Sequence, residues 1–278
     1  MKLIWCLAVM SPLFVWGQTT YAPSTATPTL SHYIADFSNI GEETTSAFDI
    51  SDFVEKLTAR ELPGNSIKFC RTIFNRTRQQ FLRRYTPYAS FGETVHNGKY
   101  NCLTGTALYA LLLDHFGIQY NIIETNYHIF LLAYPQEGTV LFEATDPTDG
   151  FVTDSKQIEQ RVKLYRQNTM SDSPANGKKY YSFAAELYQP VQLSELRGLL
   201  HYNISTHAYN NHDFASAIRH LDEALELYNS PRIAEFSNVL LRAILQSKLE
   251  ESIKELYVSQ VKTILKKTPV MASRNNPD

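Results

Sequence analysis

The first half of the chain contains two segments in which apolar residues recur at the spacing of an α-helix. Asp49–Ala59 begins with capping residues and places Phe53 and Leu57 four positions apart. Ser66–Tyr85 carries arginines on one face, and its apolar residues lie mostly on the other: Ile67, Cys70, Ile73, Phe74, Phe81 and Leu82. Both patterns predict amphipathic helices, in which Cys70 is a small buried apolar residue.

The middle of the chain changes from helical to strand periodicity. Thr86–Asn101 is rich in turn residues and is predicted to be a loop. Cys102–Phe116 is apolar nearly all round and is followed by Gly117, which predicts a central buried helix ending there. Two β-rich runs, Asn126–Tyr134 and Thr139–Asp146, flank a Pro-Gln-Glu-Gly turn and predict an antiparallel hairpin. A helix followed by a hairpin indicates the α+β class.

The amino terminus has the layout of a secretory signal peptide. Met1–Gly17 has one lysine, an apolar run, and small residues at Val15 and Gly17 before a cleavage point at Gln18. The apolar run is shorter than the about 20 residues that span a bilayer, and every later window contains charges. An uncleaved anchor and a buried core helix are the alternatives. The signal predicts a secreted or periplasmic protein with no membrane span in the mature chain.

Changes in composition divide the rest of the chain. A Thr-, Ser-, Ala- and Pro-rich stretch follows the signal, a polar run at 167–179 marks a boundary, and residues 191–266 have helical periodicity. The predicted organisation is a signal peptide at 1–17, a flexible leader at 18–45, an α+β domain at 46–166, a linker at 167–182, a helical region at 183–266 and a disordered tail at 267–278.

Composition and charge exclude several classes of protein. The 278 residues are 44% hydrophobic and 19% charged, with a formal net charge of −2, so no basic excess supports nucleic-acid binding. Three cysteines are too few for a disulfide framework or a four-cysteine zinc site, and no Gly-rich phosphate loop is present. No metal or cofactor is predicted. Removal of the signal leaves Cys70 and Cys102, which could pair in an oxidising compartment.

Cys102, His128 and Asp146 have the residue types and order of a thiol nucleophile, a base and a group that orients the base. Cys102 opens a predicted helix, whose dipole favours a thiolate. A five-residue hairpin loop would place His128 opposite Asp146, with Cβ atoms about 5 Å apart. A four-residue loop would instead place Thr145 opposite His128 and turn Asp146 to the other face. One residue of register therefore decides whether this His–Asp pair forms.

In the first register, each residue has a chemical role. Asp146 would orient His128, which would take the proton of Cys102 and later return one to a leaving group. Backbone N–H groups at the helix start would stabilise an oxyanion, and His96 is a candidate second donor. Taken singly, the three residues also have structural explanations: a core cysteine, a packing histidine and a turn-forming aspartate.

Three runs of the chain resemble the transglutaminase-like superfamily: YNCLTGTALYALLLDHFGI (Tyr100–Ile118), NYHIFLLAY (Asn126–Tyr134) and FEATDPTDG (Phe142–Gly150). The resemblance implies a papain-like core, in which a central helix packs on a small antiparallel sheet. It also implies Cys102 as nucleophile, His128 as base and Asp146 as orienter. The chain departs from the family at Asn101, where an aromatic residue usually precedes the cysteine. No run resembles the calcium-binding loops of the animal enzymes, so no metal dependence is implied.

A later segment, His201–Pro231, resembles a tetratricopeptide (TPR) repeat whose two helices meet at Asn210–Asp213. The short gap between Cys102 and His128 is most similar to that of compact bacterial members of the superfamily, and one group of these members joins the same core to such helices. Because repeats of this kind need about three units to bury a continuous core, the TPR-like region is predicted to dock on the catalytic domain or on a partner. A plain helical hairpin with no binding role is the alternative.

Two hypotheses of function follow from these motifs. The first is an exported thiol enzyme that cleaves or transfers acyl groups at amide bonds of a peptide or protein, through an acyl-thioester on Cys102. The second is a catalytically silent scaffold that binds a protein partner through its TPR-like helices.

Overall fold

The computed structural model describes residues 29–41, 49–59, 64–167, 187–228 and 230–268. The helices are α1 Leu30–Ser38, α2 Ser51–Thr58, α3 Ile67–Phe81, α4 Phe91–Asn97, α5 Cys102–His115, α6 Ser155–Arg166, α7 Leu196–Asn210, α8 Phe214–Leu227, α9 Pro231–Gln246 and α10 Glu251–Lys267. The strands are β1 Arg84–Tyr85, β2 Lys99–Tyr100, β3 Tyr120–Thr125, β4 Ile129–Ala133, β5 Val140–Phe142, β6 Phe151–Val152 and β7 Tyr188–Val191.

Five strands form an antiparallel sheet in the order β6-β5-β4-β3-β7, while β1 and β2 form a separate parallel pair. Helices and an antiparallel sheet in one chain confirm the α+β class. In the predicted hairpin, Ala133 pairs with Val140 and Leu131 with Phe142. Continued past the strand ends, this register places Thr145 opposite His128. The hairpin thus has the four-residue loop, and the register with Asp146 opposite His128 is wrong.

Helix α5 is the centre of the main core, as its pattern predicts. All residues from Leu103 to Leu113 are buried, and the Tyr109 ring stacks on Phe74 at 5.2 Å. The helix begins in a reciprocal cap, in which the Asn101 side chain accepts from the Thr104 N–H and the Thr104 hydroxyl accepts from the Asn101 N–H. Gly117 follows the helix with a φ of +67°, a conformation that glycine adopts without strain.

The predicted loop at Thr86–Asn101 contains a helix, α4. Ser90 caps it by accepting from the Glu93 N–H, and the Glu93 carboxylate accepts from the Ser90 N–H. This is the Ser-x-x-Glu capping box, which is visible in the sequence and which outweighs the nearby turn residues. Phe91 and Val95 of α4 are buried in the main core.

The predicted flexible leader at 18–45 also contains a helix, α1, so that prediction is wrong for residues 30–38. Ile34 and Phe37 are fully buried, and the Phe37 ring meets Phe91 edge-on at 5.4 Å. These apolar contacts hold the segment on the main core. The predicted signal peptide at 1–17 lies outside the described residues.

Helices α7 to α10 form a second apolar core of their own. The turn between α7 and α8 falls at Asn210–Asp213 as predicted, with the Asp213 side chain capping α8. This helical region docks on the rest of the molecule, because Leu196, Leu200 and Tyr228 belong to the main core. The predicted linker beyond Gln167 and the tail beyond Thr268 lie outside the described residues.

Across the ranges that the structure describes, no helix combines the length and the apolar character needed to cross a bilayer.

Candidate active site

Cys102 is the first residue of α5, and the residue before it fixes its position. The Asn101 amide donates to the carbonyl oxygens of Pro87 and Ala89, at 3.0 and 3.2 Å, while its oxygen caps the helix. Strand β2, which leads into Asn101, is itself paired with β1. The thiol is therefore held at a helix N-terminus, where it is free and partly exposed. Asn101, the departure from the family pattern, thus has a structural role here.

His128 immediately precedes β4 and is held by Thr125 at the other side of a tight turn. The Thr125 N–H donates to the His128 carbonyl at 2.8 Å, and the His128 N–H donates to the Thr125 hydroxyl at 3.1 Å. The imidazole makes a hydrogen bond with Glu143, and it is close enough to Cys102 for that thiol to help raise the pKa of His128. Because Nε2 is engaged by Glu143, Nδ1 is the nitrogen that remains for the sulfur.

Glu143, which directly follows β5, is the carboxylate that contacts His128. Its Oε2 lies 2.5 Å from His128 Nε2. Strand register explains the contact, because Glu143 continues the ladder opposite Phe130 and so lies diagonally across from His128 on the same face. A diagonal neighbour is more distant than a direct one, and the longer glutamate side chain spans that distance.

The remaining lone pairs of Glu143 are also used. Oε2 accepts from the Tyr165 hydroxyl at 3.1 Å, and Oε1 accepts from the Thr145 N–H and hydroxyl at 2.9 and 2.6 Å. The carboxylate is only 4% exposed. Burial disfavours its charge, but hydrogen bonds from His128 and Thr145 outweigh burial and hold the pKa of Glu143 below its usual value.

The pKa of His128 is shifted in the opposite direction to that of Glu143. Burial favours the neutral ring, but hydrogen bonds with Cys102 and Glu143 outweigh it and raise the pKa of His128 to about 10. The Tyr165 ring of α6 covers the imidazole at a centroid distance of 5.0 Å and packs on Phe130 at 4.8 Å. His128 is therefore favoured as an imidazolium, enclosed on one side by an aromatic wall.

Asp146, the carboxylate that the sequence predicts as orienter, lies elsewhere. Its Oδ2 accepts from Arg161 at 2.9 Å, and its Oδ1 accepts from the N–H groups of Thr148 and Asp149. It therefore closes its own turn and pairs with α6 rather than with His128. The four-residue hairpin loop is the physical reason, since it turns Asp146 away from the base.

Sequence reasoning missed Glu143 and Tyr165. The sequence did contain a signal for Glu143, which lies in the same FEATD run as Asp146. With a four-residue hairpin loop, Glu143 and His128 point to the same face of the sheet. Tyr165 had no such signal, since its position depends on how α6 packs across the sheet.

The predicted oxyanion donors lie around the start of α5. As the first helical residue, Cys102 has an N–H with no acceptor inside the helix, and the capping box uses the N–H of Thr104 instead. His96 lies in the last turn of α4, and its role as a second donor stays a prediction. The partly exposed Tyr85 lies beside the site, within electrostatic reach of Cys102.

The second thiol has a different environment. Cys70 lies fully buried in the main core, and burial raises the pKa of its thiol to about 12. Cys70 and Cys102 are both free, so the two do not form the disulfide left open by the sequence. Within the described ranges, no cluster of three or more His, Cys, Asp or Glu side chains is arranged to hold a metal ion.

No protein-family model matches this chain, and neither a curated protein nor a solved structure is similar to it.

Proposed function

We propose that this protein is a thiol enzyme that cleaves or transfers acyl groups at amide bonds, with Cys102 as nucleophile, His128 as general acid and base, and Glu143 as orienter. The observation that carries the proposal is one imidazole that contacts the buried Glu143 carboxylate and lies close enough to the Cys102 thiol for the thiol to act on its pKa. A nucleophile, a base and a group that orients the base are the parts that acyl transfer requires.

The first half of the reaction would form the acyl-enzyme. The Cys102 thiolate attacks the amide carbonyl carbon, a C–S bond forms, and the carbonyl electrons move to oxygen. The Cys102 N–H, which has no acceptor inside the helix, would donate to this oxyanion. When the tetrahedral intermediate collapses, His128 donates its Nδ1 proton to the nitrogen, the C–N bond breaks, and an amine leaves.

The second half would release the acyl group. Neutral His128 removes a proton from water or from an acceptor amine, which attacks the thioester carbon. The C–S bond then breaks, and the thiolate and imidazolium are restored. Throughout, Glu143 keeps its charge and holds the Nε2–H, so that the other ring nitrogen points at sulfur. Water is the default acceptor, so hydrolysis is proposed ahead of crosslinking.

The finer fold assignment belongs to the same proposal. A cysteine opening a buried helix, a histidine beside one strand and a carboxylate beside the next agree with a papain- or transglutaminase-like core. Helices α7 and α8 agree with a TPR-like pair. A peptide or protein is the substrate class that an amide-cleaving thiol enzyme would use, and the amino-terminal sequence favours export.

The test is the pH profile of Cys102 alkylation. An ordinary thiol has a pKa of about 8.5 and loses reactivity about tenfold per pH unit below it. We expect iodoacetamide, with peptides resolved by mass spectrometry, to label Cys102 at pH 6 at no less than about a tenth of its rate at pH 8.5. His128→Ala should restore the steep profile of an ordinary thiol, and buried Cys70 is the internal control.

The result that overturns the proposal is equally specific. If wild-type Cys102 has the profile of an ordinary thiol, or if His128→Ala leaves the profile unchanged, Cys102 is not activated. The chain would then be better described as a silent scaffold. An activated Cys102 should also form a covalent adduct with a peptidyl electrophile, and Cys102→Ser should form none.

A further inference from the structure

Arg232 reaches from the helical region into the catalytic core. It lies in the first turn of α9, its side chain is 13% exposed, and its Nε lies 2.7 Å from the buried Glu124 Oε1 of β3. The same guanidinium donates through one terminal nitrogen to the carbonyl oxygens of Thr125 and Asn126, at 2.7 and 3.1 Å. One side chain therefore clamps the end of β3 and the turn that follows it.

That turn carries the proposed catalytic base. Thr125, whose carbonyl Arg232 holds, donates its N–H to the His128 carbonyl, and its hydroxyl accepts from the His128 N–H. His128 in turn contacts Glu143 and lies close enough to Cys102 for the thiol to act on its pKa. A single residue, Thr125, thus separates the guanidinium from the imidazole-bearing residue.

We propose that Arg232 is a positioning residue for His128, through which the helical region forms part of the catalytic machinery. The inference rests on the proposed function, because it concerns the alignment of the same base. Among the contacts of the described residues, Arg232 acts on His128 through Thr125. It fixes the Thr125–His128 turn so that the imidazole stays within reach of both the Cys102 sulfur and the Glu143 carboxylate.

The surroundings of Arg232 favour a geometric role over simple stabilisation. The Tyr228 hydroxyl donates a hydrogen bond to Glu124, and the Tyr202 ring lies under the guanidinium at 5.2 Å. Burying two charges costs several kcal/mol per ion, so a buried ion pair contributes little net stability. What a guanidinium adds is a rigid fork, which engages a carboxylate and the turn carbonyls simultaneously. A lysine beside Glu124 would keep the charge without the fork.

The chain offers a matched control in Arg197. This α7 residue pairs with Asp36 of α1 at 3.0 Å, so it too joins the helical region to the core by an ion pair. It has no part in the Thr125–His128 turn. Loss of either arginine removes one such pair, but only loss of Arg232 should change the alignment of His128.

The experiment uses the full chain and the Cys102 alkylation profile. In Arg232→Ala, we expect the pH midpoint of labelling to rise by about one unit and the rate at pH 6 to fall about tenfold. Arg197→Ala should keep the wild-type profile, although thermal unfolding shifts in both. Arg232→Lys should recover thermal stability but keep the raised midpoint, because the ammonium lacks the fork.

Each outcome decides the question. A folded Arg232→Ala with the wild-type profile overturns the inference, as does an equal shift in Arg197→Ala. If Arg232→Ala does not fold, Arg232→Lys is decisive, and a wild-type profile in that variant overturns it. An ordinary-thiol profile in the wild type would instead remove the proposed function, whereas an activated wild type with unchanged Arg232 variants removes only this inference.

Discussion

At the residue scale, the chemistry of the site depends on a carboxylate with every acceptor position engaged. Glu143 accepts from His128, Tyr165 and, twice, from Thr145. A buried carboxylate with this many donors stays ionised, since each donor stabilises the charge that burial penalises. The ionised carboxylate in turn holds a proton on His128. Glu143 therefore stabilises the charged form of His128 while it keeps its own negative charge.

Substitution of Glu143 by glutamine tests this dependence. Glu143→Gln keeps the size and removes the charge, and a hydrogen bond to a charged group contributes about 1.5–3 kcal/mol. We expect Cys102 alkylation at pH 6 to fall about ten- to a hundred-fold, because the imidazolium is no longer held. Asp146→Asn is the control: its ion pair with Arg161 is partly exposed, so labelling should change by less than about twofold. If Asp146→Asn reduced Cys102 labelling more than Glu143→Gln did, Asp146 would be the orienter instead.

The sequence yields Cys102 and His128 as the candidate nucleophile and base, but it does not identify the carboxylate that contacts His128. Cys102 and His128 could be assigned because a helix start and a strand start are visible in local patterns. The third residue depends on hairpin register, and a loop of four or five residues is compatible with the same Pro-Gln-Glu-Gly turn. A change of one residue transfers the role from Asp146 to Glu143, which local pattern alone does not decide.

At the element scale, the site requires a close approach of α5 to the end of β5. A Cβ placed on Gly105 would lie 2.8 Å from the Ala144 Cβ, closer than two carbon atoms can pack. Gly105 is one helical turn after Cys102, and Ala144 follows Glu143. The Thr106 hydroxyl, beside Gly105, donates to the Ile129 carbonyl of β4 at 3.3 Å. The absence of a side chain at Gly105 therefore lets the start of α5, with Cys102, lie close to the end of β5, with Glu143.

Gly105→Ala should displace the helix from the sheet. Overpacking of this kind costs about 1–3 kcal/mol, partly offset by the higher helix propensity of alanine, so we expect unfolding free energy to fall by about 1–2 kcal/mol. Cys102 alkylation at pH 6 should fall as well. The double variant Gly105→Ala with Ala144→Gly should recover most of both losses. Denaturant titration measures the first effect, and a net gain in stability would show that α5 is not held by this contact.

Among the helices that the sequence did not predict, α1 and α4 had recognisable signals. Leu30, Ile34 and Phe37 have helical spacing, but the Thr- and Pro-rich composition around them favoured a leader. In α4, the Ser90–Glu93 capping box indicates the start of a helix, but Pro87 and Gly98 nearby favoured a loop. Both helices are short and are stabilised by packing on the main core, and short helices depend on such contacts more than on their own propensity.

At the scale of the whole molecule, specific side-chain contacts join the main core to the apolar core of α7 to α10. Arg232 reaches Thr125 across 107 residues of sequence, and the Tyr88 ring stacks on His207 of α7 at 4.8 Å. Local periodicity predicts the helices on each side but carries no information on contacts of this length. The docking of the helical region on the main core could thus be expected in general terms, while the residues that make the contacts could not.

Packing within the helical region makes the stability of the whole chain depend on pH. His201 of α7 and His220 of α8 face each other with their Nδ1 atoms 3.0 Å apart. Burial, then His220, Arg197 and Arg219, lower the pKa of His201 to about 4. An unfolded histidine has a pKa of about 6.5, so between pH 6.5 and 4 the unfolded chain binds the additional proton. The contribution of neutral His201 to the free energy of unfolding is therefore fully present above pH 6.5, and it is lost as the pH falls from 6.5 to 4.

His201→Asn isolates that contribution, because the amide keeps a polar atom near the position of Nδ1 and does not titrate. We expect wild-type unfolding free energy to fall by about 1–2 kcal/mol more than that of His201→Asn between pH 7 and pH 4.5, after allowance for partial exposure to solvent. Denaturant titrations at a series of pH values measure the difference, and the values at pH 7.5 serve as the reference for the substitution itself. If the unfolding free energies of the two proteins fell in parallel across the window, the histidine pair would take no part in acid unfolding. The loss of stability in acid would then arise from carboxylates such as Glu143, whose pKa is lowered by its partners.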